Sequence, residues 1–344
     1  MTAPTTPAIA PSRATRIFRS FTRARETGIL LALLVVIALT TAINPTFVFS
    51  DDGWRDLLLT PAILALVAIG QAVVIITRNV DLSVGSVVGL TAYLTGRLFI
   101  DIPGIPIVAV FLLGMLGGAL LGVVNGALVA FGKVPALVIT LGTLYAYRGI
   151  NVLWTGSNRI NASDVPHGFL ELGTGALLTI PYLTIIAVVV LLIVGWYLRN
   201  RRGGRELYAI GSDPTAAELY GLKVMSRVLV AFVLSGALAG LAGVLFVARY
   251  GTVSSQTGTG LELQAVGAAV IGGVAIFGGS GSVYGAALGA MLLLTINRAL
   301  PILGIQDFWQ QAVVGVLIIG AIVLDRVLAI RLSRRLIAER EVSV

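Results

Sequence analysis

The chain has 344 residues, of which 57% are hydrophobic and only 12% charged, with a net charge of +8 and no cysteine. A mean hydropathy of +0.97 leaves too little polar surface for a water-soluble enzyme and describes a polytopic membrane protein. The basic residues lie in short connections between apolar runs, a pattern that orients a bilayer protein and does not build a nucleic-acid surface; without cysteine there is no disulfide, thiolate metal site or cysteine nucleophile.

Crossing the hydrocarbon core takes roughly 17 to 25 apolar residues. Ten runs are predicted in chain order: Gly28–Ile43, Leu57–Ile76, Leu82–Ile100, Ile105–Phe131, Val134–Trp154, Ala176–Leu198, Val228–Ala248, Leu261–Phe277, Val283–Leu300 and Phe308–Ile330. The first is not a cleavable signal peptide, since it lacks a small-residue cleavage site and the chain continues into further spans. The expected fold is all-α, a polytopic helical membrane protein with about ten transmembrane segments. A basic arm (1–27) precedes a membrane domain (28–330), and a basic tail (331–344) follows it. Alternating sides from an inner amino terminus puts most of the 24 Lys and Arg in the cytoplasm, as orientation by positive charge requires. Both termini are then cytoplasmic, and losing one weak span from each half leaves the same ends.

Taken in order, the connections differ in character. Ahead of the second span stand Asp51, Asp52 and Arg55 on the outer side. After it, Thr77–Ser86 interrupts two apolar runs with charges and a Ser-Gly-Ser cluster. Non-helical backbone near membrane depth must be covered by protein or face a water-filled cavity. This patch is therefore a packed turn beside a conduit or part of it, with Asp81 either capping the next helix or touching cargo. Gly114, Gly118, Gly122 and Gly126 form a small-residue ridge in the fourth span; Gly281, Gly285 and Gly289, and the pair Gly236 and Gly240, form shorter ones. Such ridges let helix backbones approach closely in lipid, either within one subunit or at a dimer seam.

The outer connection Trp154–Gly175 is the longest on that side and carries Asn158, Arg159, Asp164, His167 and Glu171. With Asp51, Asp52 and Arg55, the charges Arg159, Asp164 and Glu171 are candidates for docking an external partner, because charged rims steer encounter. His167 is the only histidine, and a lone imidazole has no local partner for catalysis or metal binding.

The inner segment 199–227 is a basic, helix-forming, Ala-rich insert that the membrane fold does not itself need, and is read as a grip for a cytoplasmic partner. Asp213 at the cap and Pro214 at the first helical position start a short helix; Ala216 and Ala217 offer small contacts, and Gly221 ends the turn. A second polar patch, Gly278–Ser282, has no following Lys-Ser or Lys-Thr, so it is not a phosphate loop. An echo at a constant offset pairs Ala72–Ile75 with Ala268–Ile271 and Gly85–Gly89 with Gly281–Gly285. Duplicated halves are common in transporters, although in a chain this rich in Gly, Ala and Val chance produces such echoes too.

Four stretches, NVDLSVGSVVGL from Asn79, NGALVAFGKVPALVITLGTLYAYRG from Asn125, GRELYAIGSDPTAAELYGL from Gly204 and VIGGVAIFGGSGSVYGAALGA from Val270, resemble the membrane-spanning permease of bacterial monosaccharide ABC importers, the ribose, galactose, xylose, rhamnose and autoinducer-sugar group. The likeness runs from about Gly28 to Ile330. It implies a bacterial inner-membrane protein that pairs with a second permease subunit as a homo- or heterodimer. Such a protein is driven by a cytoplasmic ABC ATPase and receives sugar from an extracytoplasmic binding protein. ATP and Mg2+ belong to the ATPase, and no cofactor or metal is expected in this chain. The resemblance makes the insert the ATPase-coupling loop, with Gly204, Arg205, Glu206, Gly211, Asp213, Pro214, Ala216, Ala217 and Gly221 as its residues. Ser212-Asp213 stands where the family commonly has Gly-Asn, which puts the detail of the cap in question.

A neutral sugar needs hydrogen-bond partners on an apolar path. Gln71, Asp81, Ser83, Asn125, Thr140, Thr143, Asn297 and Gln310 are the candidates, each of which has the alternative of bonding helices together. Arg148, Glu262, Arg298 and Asp325, charged and in or near spans, should face partners, cavities or the interface. No paired carboxylates suggest general acid–base chemistry, and mid-span acids for ion coupling are almost absent, which argues against a membrane enzyme and a secondary transporter. Permeases for nucleosides or branched-chain amino acids remain the nearest alternatives. The stretches Thr257–Glu262 and Trp309–Asp325 are most similar to the rhamnose and autoinducer-sugar branches.

Overall fold

The computed structural model describes residues 25–132, 134–156 and 158–306, with scattered positions beyond. Its long helices are α1 (Arg25–Ile43), α3 (Asp51–Ile76), α4 (Val84–Asp101), α5 (Ile107–Gly132), α6 (Ala136–Thr155), α8 (Tyr182–Asn200), α11 (Val224–Tyr250) and α13 (Val283–Ile302). Shorter ones are α2 (Thr46–Phe49), α7 (His167–Thr174), α9 (Arg202–Ser212), α10 (Pro214–Leu219) and α12 (Leu261–Ile271). A two-residue hairpin of β1 (Ala176–Leu177) and β2 (Ile180–Pro181), with Ala176 opposite Pro181, precedes α8.

Among the described residues seven helices are long and apolar enough to cross a membrane, so the chain is an all-α polytopic membrane protein. Three of the ten expected spans come out differently. The run Leu82–Ile100 is helical as α4, but Arg97, Asp101, Tyr93 and two threonines make it more polar than its neighbours. The run Leu261–Phe277 is not continuous: α12 stops after 11 residues, and Gly273, Gly278 and Gly279 take positive φ in the turn that follows. Apolar composition hid that break, because glycine counts as neither polar nor charged while it releases the backbone from the helix. The run from Ala176 starts its helix only at Tyr182, after the hairpin. The tenth run, Phe308–Ile330, lies largely outside the described residues, as do Gln310 and Asp325.

The bundle is layered by burial. In α3 almost every side chain from Leu64 to Ile76 is inaccessible, as expected for a helix apolar on all sides, and α8, α11, α12 and α13 pack around it. The outer helices α5 and α6 expose Leu112, Leu116, Leu120, Leu137, Leu141 and Leu153; such rows meet lipid or another subunit.

The glycine ridges act within the chain. A Cβ on Gly118 would strike the Gly236 carbonyl, one on Gly236 the Gly118 carbonyl, one on Gly240 the Gly114 carbonyl, and one on Gly289 the Ala268 carbonyl. Lipid gives apolar helices no reason to associate by burial, so this backbone contact holds α5 to α11 and α12 to α13 through dispersion.

Candidate functional site

The insert folds as two helices. Asp213 ends α9 and caps α10, its Oδ1 accepting the Ala216 N–H at 3.0 Å, with Pro214 at the first helical position and Gly221 leaving at φ +78°. Glu206 ties α9 down: its carboxylate takes the Arg202 Nε–H at 2.7 Å and a second, shorter bond from Arg227 at the start of α11. Burial would raise the Glu206 pKa, but the two guanidinium hydrogen bonds and charges outweigh it and hold the carboxyl below the usual glutamate range.

The far end of α9 is wedged between two turns. Gly211 faces the Ile76 carbonyl at the end of α3 and the Gly279 N–H, so closely that any side chain there would collide with both. Gly279 N–H donates to Ile76 O at 3.0 Å, Arg78 Nε–H to Phe277 O at 2.8 Å, and Ser212 lies against Gly279. The turn after α3, the turn after α12 and the end of α9 therefore meet at one point. Sequence spacing gave no sign of this, since the three segments are far apart along the chain.

Behind that junction lies a polar network with almost no solvent exposure. Asp81 Oδ1 accepts the Ser83 N–H (2.9 Å), the Ser83 Oγ–H (2.7 Å) and the Asn125 amide (3.4 Å). Asn125 also donates to Ser83 Oγ at 2.6 Å. Oriented with its nitrogen toward the Asp81 carbonyl, the Gln71 amide bonds both backbone groups of Asp81, at 3.1 and 3.2 Å. Thr140 Oγ1 donates to Val80 O at 3.0 Å, and Thr143 Oγ1 back to Thr140 O at 3.3 Å. Gln71, Asp81, Ser83, Asn125 and Thr140 are thus one cluster, whereas Asn297 sits apart with its Oδ1 buried and unpartnered among the described residues. Ser83 stands at the N-cap position of the helix after the turn but makes no side-chain cap bond; Asp81 holds the turn itself. Tyr147 was absent from the sequence candidates, yet its hydroxyl donates to Asn125 Oδ1 at 3.2 Å. It shares the buried face of α6 with Thr140 and Asn151, a helical spacing that marks it in retrospect.

In the insert, Gly204, Glu206, Gly211 and Ala217 face inward, while Arg205 and Asp213 are exposed and Pro214 and Ala216 half-buried. Ala217, expected as a small contact, is only 4% exposed, because the short α10 turns that side onto its own chain. The outward apolar residues are Leu219 and Tyr220, 85% and 87% exposed.

At the opposite end of the bundle lie the charged outer candidates. Asp164 accepts the Asn161 N–H at 2.8 Å, Glu171 pairs with His167 at 3.1 Å on an exposed surface, and Arg159 and Asp52 are exposed. Arg55 is half-buried, its Nε unpartnered among the described residues, and Asp51 opens α3. Arg298 donates to Gly53 O at 2.7 Å, Arg148 to Thr257 O at 2.8 Å, and Glu262 Oε1 accepts the Gly260 N–H at 3.1 Å.

Residues 55–322 match the family described as branched-chain amino acid transport system / permease component. The chain is 37% identical over 310 residues to a protein of Enterobacter sp. (strain 638) named autoinducer 2 import system permease protein LsrC, covering 90% of this chain and 89% of the relative. It is also 37% identical over 314 residues to proteins of the same name from Shigella flexneri and Escherichia coli (strain K12 / DH10B), covering 91% of this chain and 90% of each. No solved structure matches it. With its apolar helices long enough to span a bilayer, the chain is a multi-pass inner-membrane protein and belongs to the ABC importer permease family of the branched-chain amino acid transport system / permease component type.

Proposed function

We propose that this permease forms the path for a monosaccharide or sugar-like molecule in an ATP-driven, binding-protein-dependent importer of the autoinducer 2 kind. The observation that carries the reading is the 37% identity to relatives of that name over about nine tenths of both chains. The chain does no bond chemistry: ATP and Mg2+ are held by a separate ATPase that grips the α9–α10 insert on the cytoplasmic side. In this topology about ten segments leave both termini in the cytoplasm. The exposed faces of α5 and α6 meet lipid or a second permease subunit, and Asp51, Asp52, Arg55, Arg159, Asp164 and Glu171 face an external binding protein.

The junction supports the coupling part of this reading, because a push on α10 is delivered through Gly211 to the ends of α3 and α12 without passing through a flexible linker. Leu219 and Tyr220 fit a partner surface, since two large apolar side chains on a polar insert are otherwise exposed to water. The buried cluster around Asp81 fixes the junction in this conformation, and its members meet cargo when the helices around it part.

The absence of cysteine makes a direct test clean. A Leu219→Cys variant should react with a membrane-impermeant maleimide only after cells are permeabilised; labelling in intact cells would overturn the orientation and with it the coupling role. The family description favours a second cargo, branched-chain amino acids. Thermal shift of the cognate binding protein decides between them: stabilisation by autoinducer 2 or a pentose supports the sugar reading, and stabilisation by leucine or isoleucine alone ends it.

A further inference from the structure

A cavity of about 440 Å3 opens where α8, α9 and α13 meet, lined in part by Gly195, Leu198, Arg199, Arg205, Tyr208 and Tyr284. Its volume falls in the roughly 300–1,000 Å3 range of ligand clefts, and it is separate from the contacts of Gly211. One wall is apolar, and its space exists because residue 195 has no side chain: a Cβ there would strike the Tyr284 phenol.

The other wall carries two guanidinium groups that no carboxylate neutralises among the described residues. Arg202 and Arg227 are tied to Glu206, Arg97 to Asp101 and Arg249 to Asp56, but Arg199 and Arg205 have no such partner. Arg205 is steadied by one bond, from Nη1 to Asn200 O at 3.0 Å, which leaves most of its donors free. The first N–H groups of α13 are already taken by Ser282 Oγ, at 3.1 and 3.4 Å, so the positive potential comes from the arginines and not from a helix end.

The face of α8 that leads into the cavity changes character along its length. Val188 and Leu192 are exposed apolar residues, and Gly195 and Arg199 continue the same helical stripe to the basic wall. Beside it Trp196 is half exposed, with the Arg201 guanidinium 4.6 Å from its ring centroid, a pairing suited to the headgroup level of a membrane. A soluble phosphate matches only the basic wall, whereas an amphiphile matches both walls and the stripe above them.

We propose that this cavity holds the phosphate headgroup of an anionic phospholipid, with an acyl chain lying along the Val188–Leu192 face of α8. Because Arg199 belongs to α8 and Arg205 to α9, the bound headgroup clamps the insert to the membrane domain. This holds whatever the cargo and whether or not an ATPase grips α10.

The test uses the purified full-length chain in neutral detergent, titrated with phosphatidylglycerol, phosphatidylcholine, glycerol 3-phosphate and inorganic phosphate, reading retained lipid by native mass spectrometry and the thermal midpoint. Phosphatidylglycerol should be retained and raise the midpoint, and the other three should not. Arg199→Gln should weaken the phosphatidylglycerol response about five-fold, the factor that roughly 1 kcal/mol per basic residue near a lipid surface represents, and Arg205→Gln by a similar factor. The Arg199 side chain makes no hydrogen bond or ion pair among the described residues, so its variant is free of the folding risk attached to the Arg205–Asn200 contact. Equal phosphatidylglycerol binding by wild type and both variants would overturn the proposal. So would stabilisation by glycerol 3-phosphate as large as that by the lipid.

Discussion

The two turns that meet the insert are built from opposite materials. The turn after α3, Thr77–Ser83, is held by side chains drawn from three helices, with Asp81, Ser83, Asn125 and Gln71 bonded to one another out of reach of water. The turn after α12, Gly272–Ser282, is held through backbone groups of its own: Gly273, Gly278, Gly279 and Gly281 all take positive φ, its N–H groups at Gly279 and Ala275 bond Ile76 O and Ser280 O, and its carbonyls at Phe277 and Gly281 accept from Arg78 Nε–H and the Tyr208 hydroxyl at the surface of the turn. A buried hydrogen-bonded network fixes one geometry, because each broken bond leaves an unsatisfied group in a low-dielectric interior. A glycine turn carries no such penalty. We therefore read the first turn as the anvil of the junction and the second as the part that yields.

The comparison is broken most severely at Gly211, which both turns share. Gly211→Glu puts a side chain where the Ile76 carbonyl and the Gly279 N–H already stand. Uptake and co-purification of the ATPase should both be lost while the chain still enters the membrane fraction; normal recovery and normal uptake would remove the argument for the junction.

The first turn should respond to deletion of its acceptor. Asp81→Ala orphans the Ser83 N–H and the Ser83 Oγ–H, at a cost of about 2–4 kcal/mol if each stranded group forfeits roughly 1–2 kcal/mol. Asp81→Asn keeps one carbonyl acceptor and should lose clearly less. Thermal midpoints in detergent distinguish the two variants, and equal values would mean that the carboxylate is not what holds the turn.

The second turn should behave differently. Gly279→Ala forces a side chain into left-handed backbone, costing about 1–2 kcal/mol, against Ser212 at 2.8 Å. Its expected signature is transport reduced more than thermal stability. A midpoint drop as large as that of Asp81→Ala, with transport retained in proportion, would contradict the division of roles.

A smaller effect is expected at Glu206, which anchors α9 without belonging to either turn. Its pKa is lowered in the folded chain, so its contribution is fully present above the unfolded glutamate value and is lost as pH falls through the depressed folded value. Glu206→Gln should thus lower the midpoint at pH 7, and the difference from wild type should shrink only in acid below the ordinary glutamate pKa of about 4.3. The smallest change belongs to the opposite end of the molecule. Reversing Asp52, Arg159 and Glu171 should slow binding-protein encounter in a salt-dependent way and leave assembly intact; unchanged association kinetics would dispose of that docking surface.

Much was legible before any coordinates. The apolar runs announced the membrane class and most of the helices, because a span must satisfy its own backbone within one segment and so leaves a local signature. The Asp213–Pro214 start of α10 was readable for the same reason, since a cap involves only neighbours in the chain. That Ala217 turns inward was not legible, because a six-residue helix offers too few turns for a periodicity to show which face is buried.

What the amino-acid order determined by itself was therefore local: membrane class, helix positions, caps and the small-residue ridges. Tertiary structure alone decided that the ridges close on each other within one chain and that α12 is cut short. Only in three dimensions do Gln71, Asp81, Asn125 and Tyr147 form one network and Gly211 land between two distant turns. These are contacts across long sequence separations, and no spacing rule encodes them, because which buried polar group finds which partner depends on how whole helices pack.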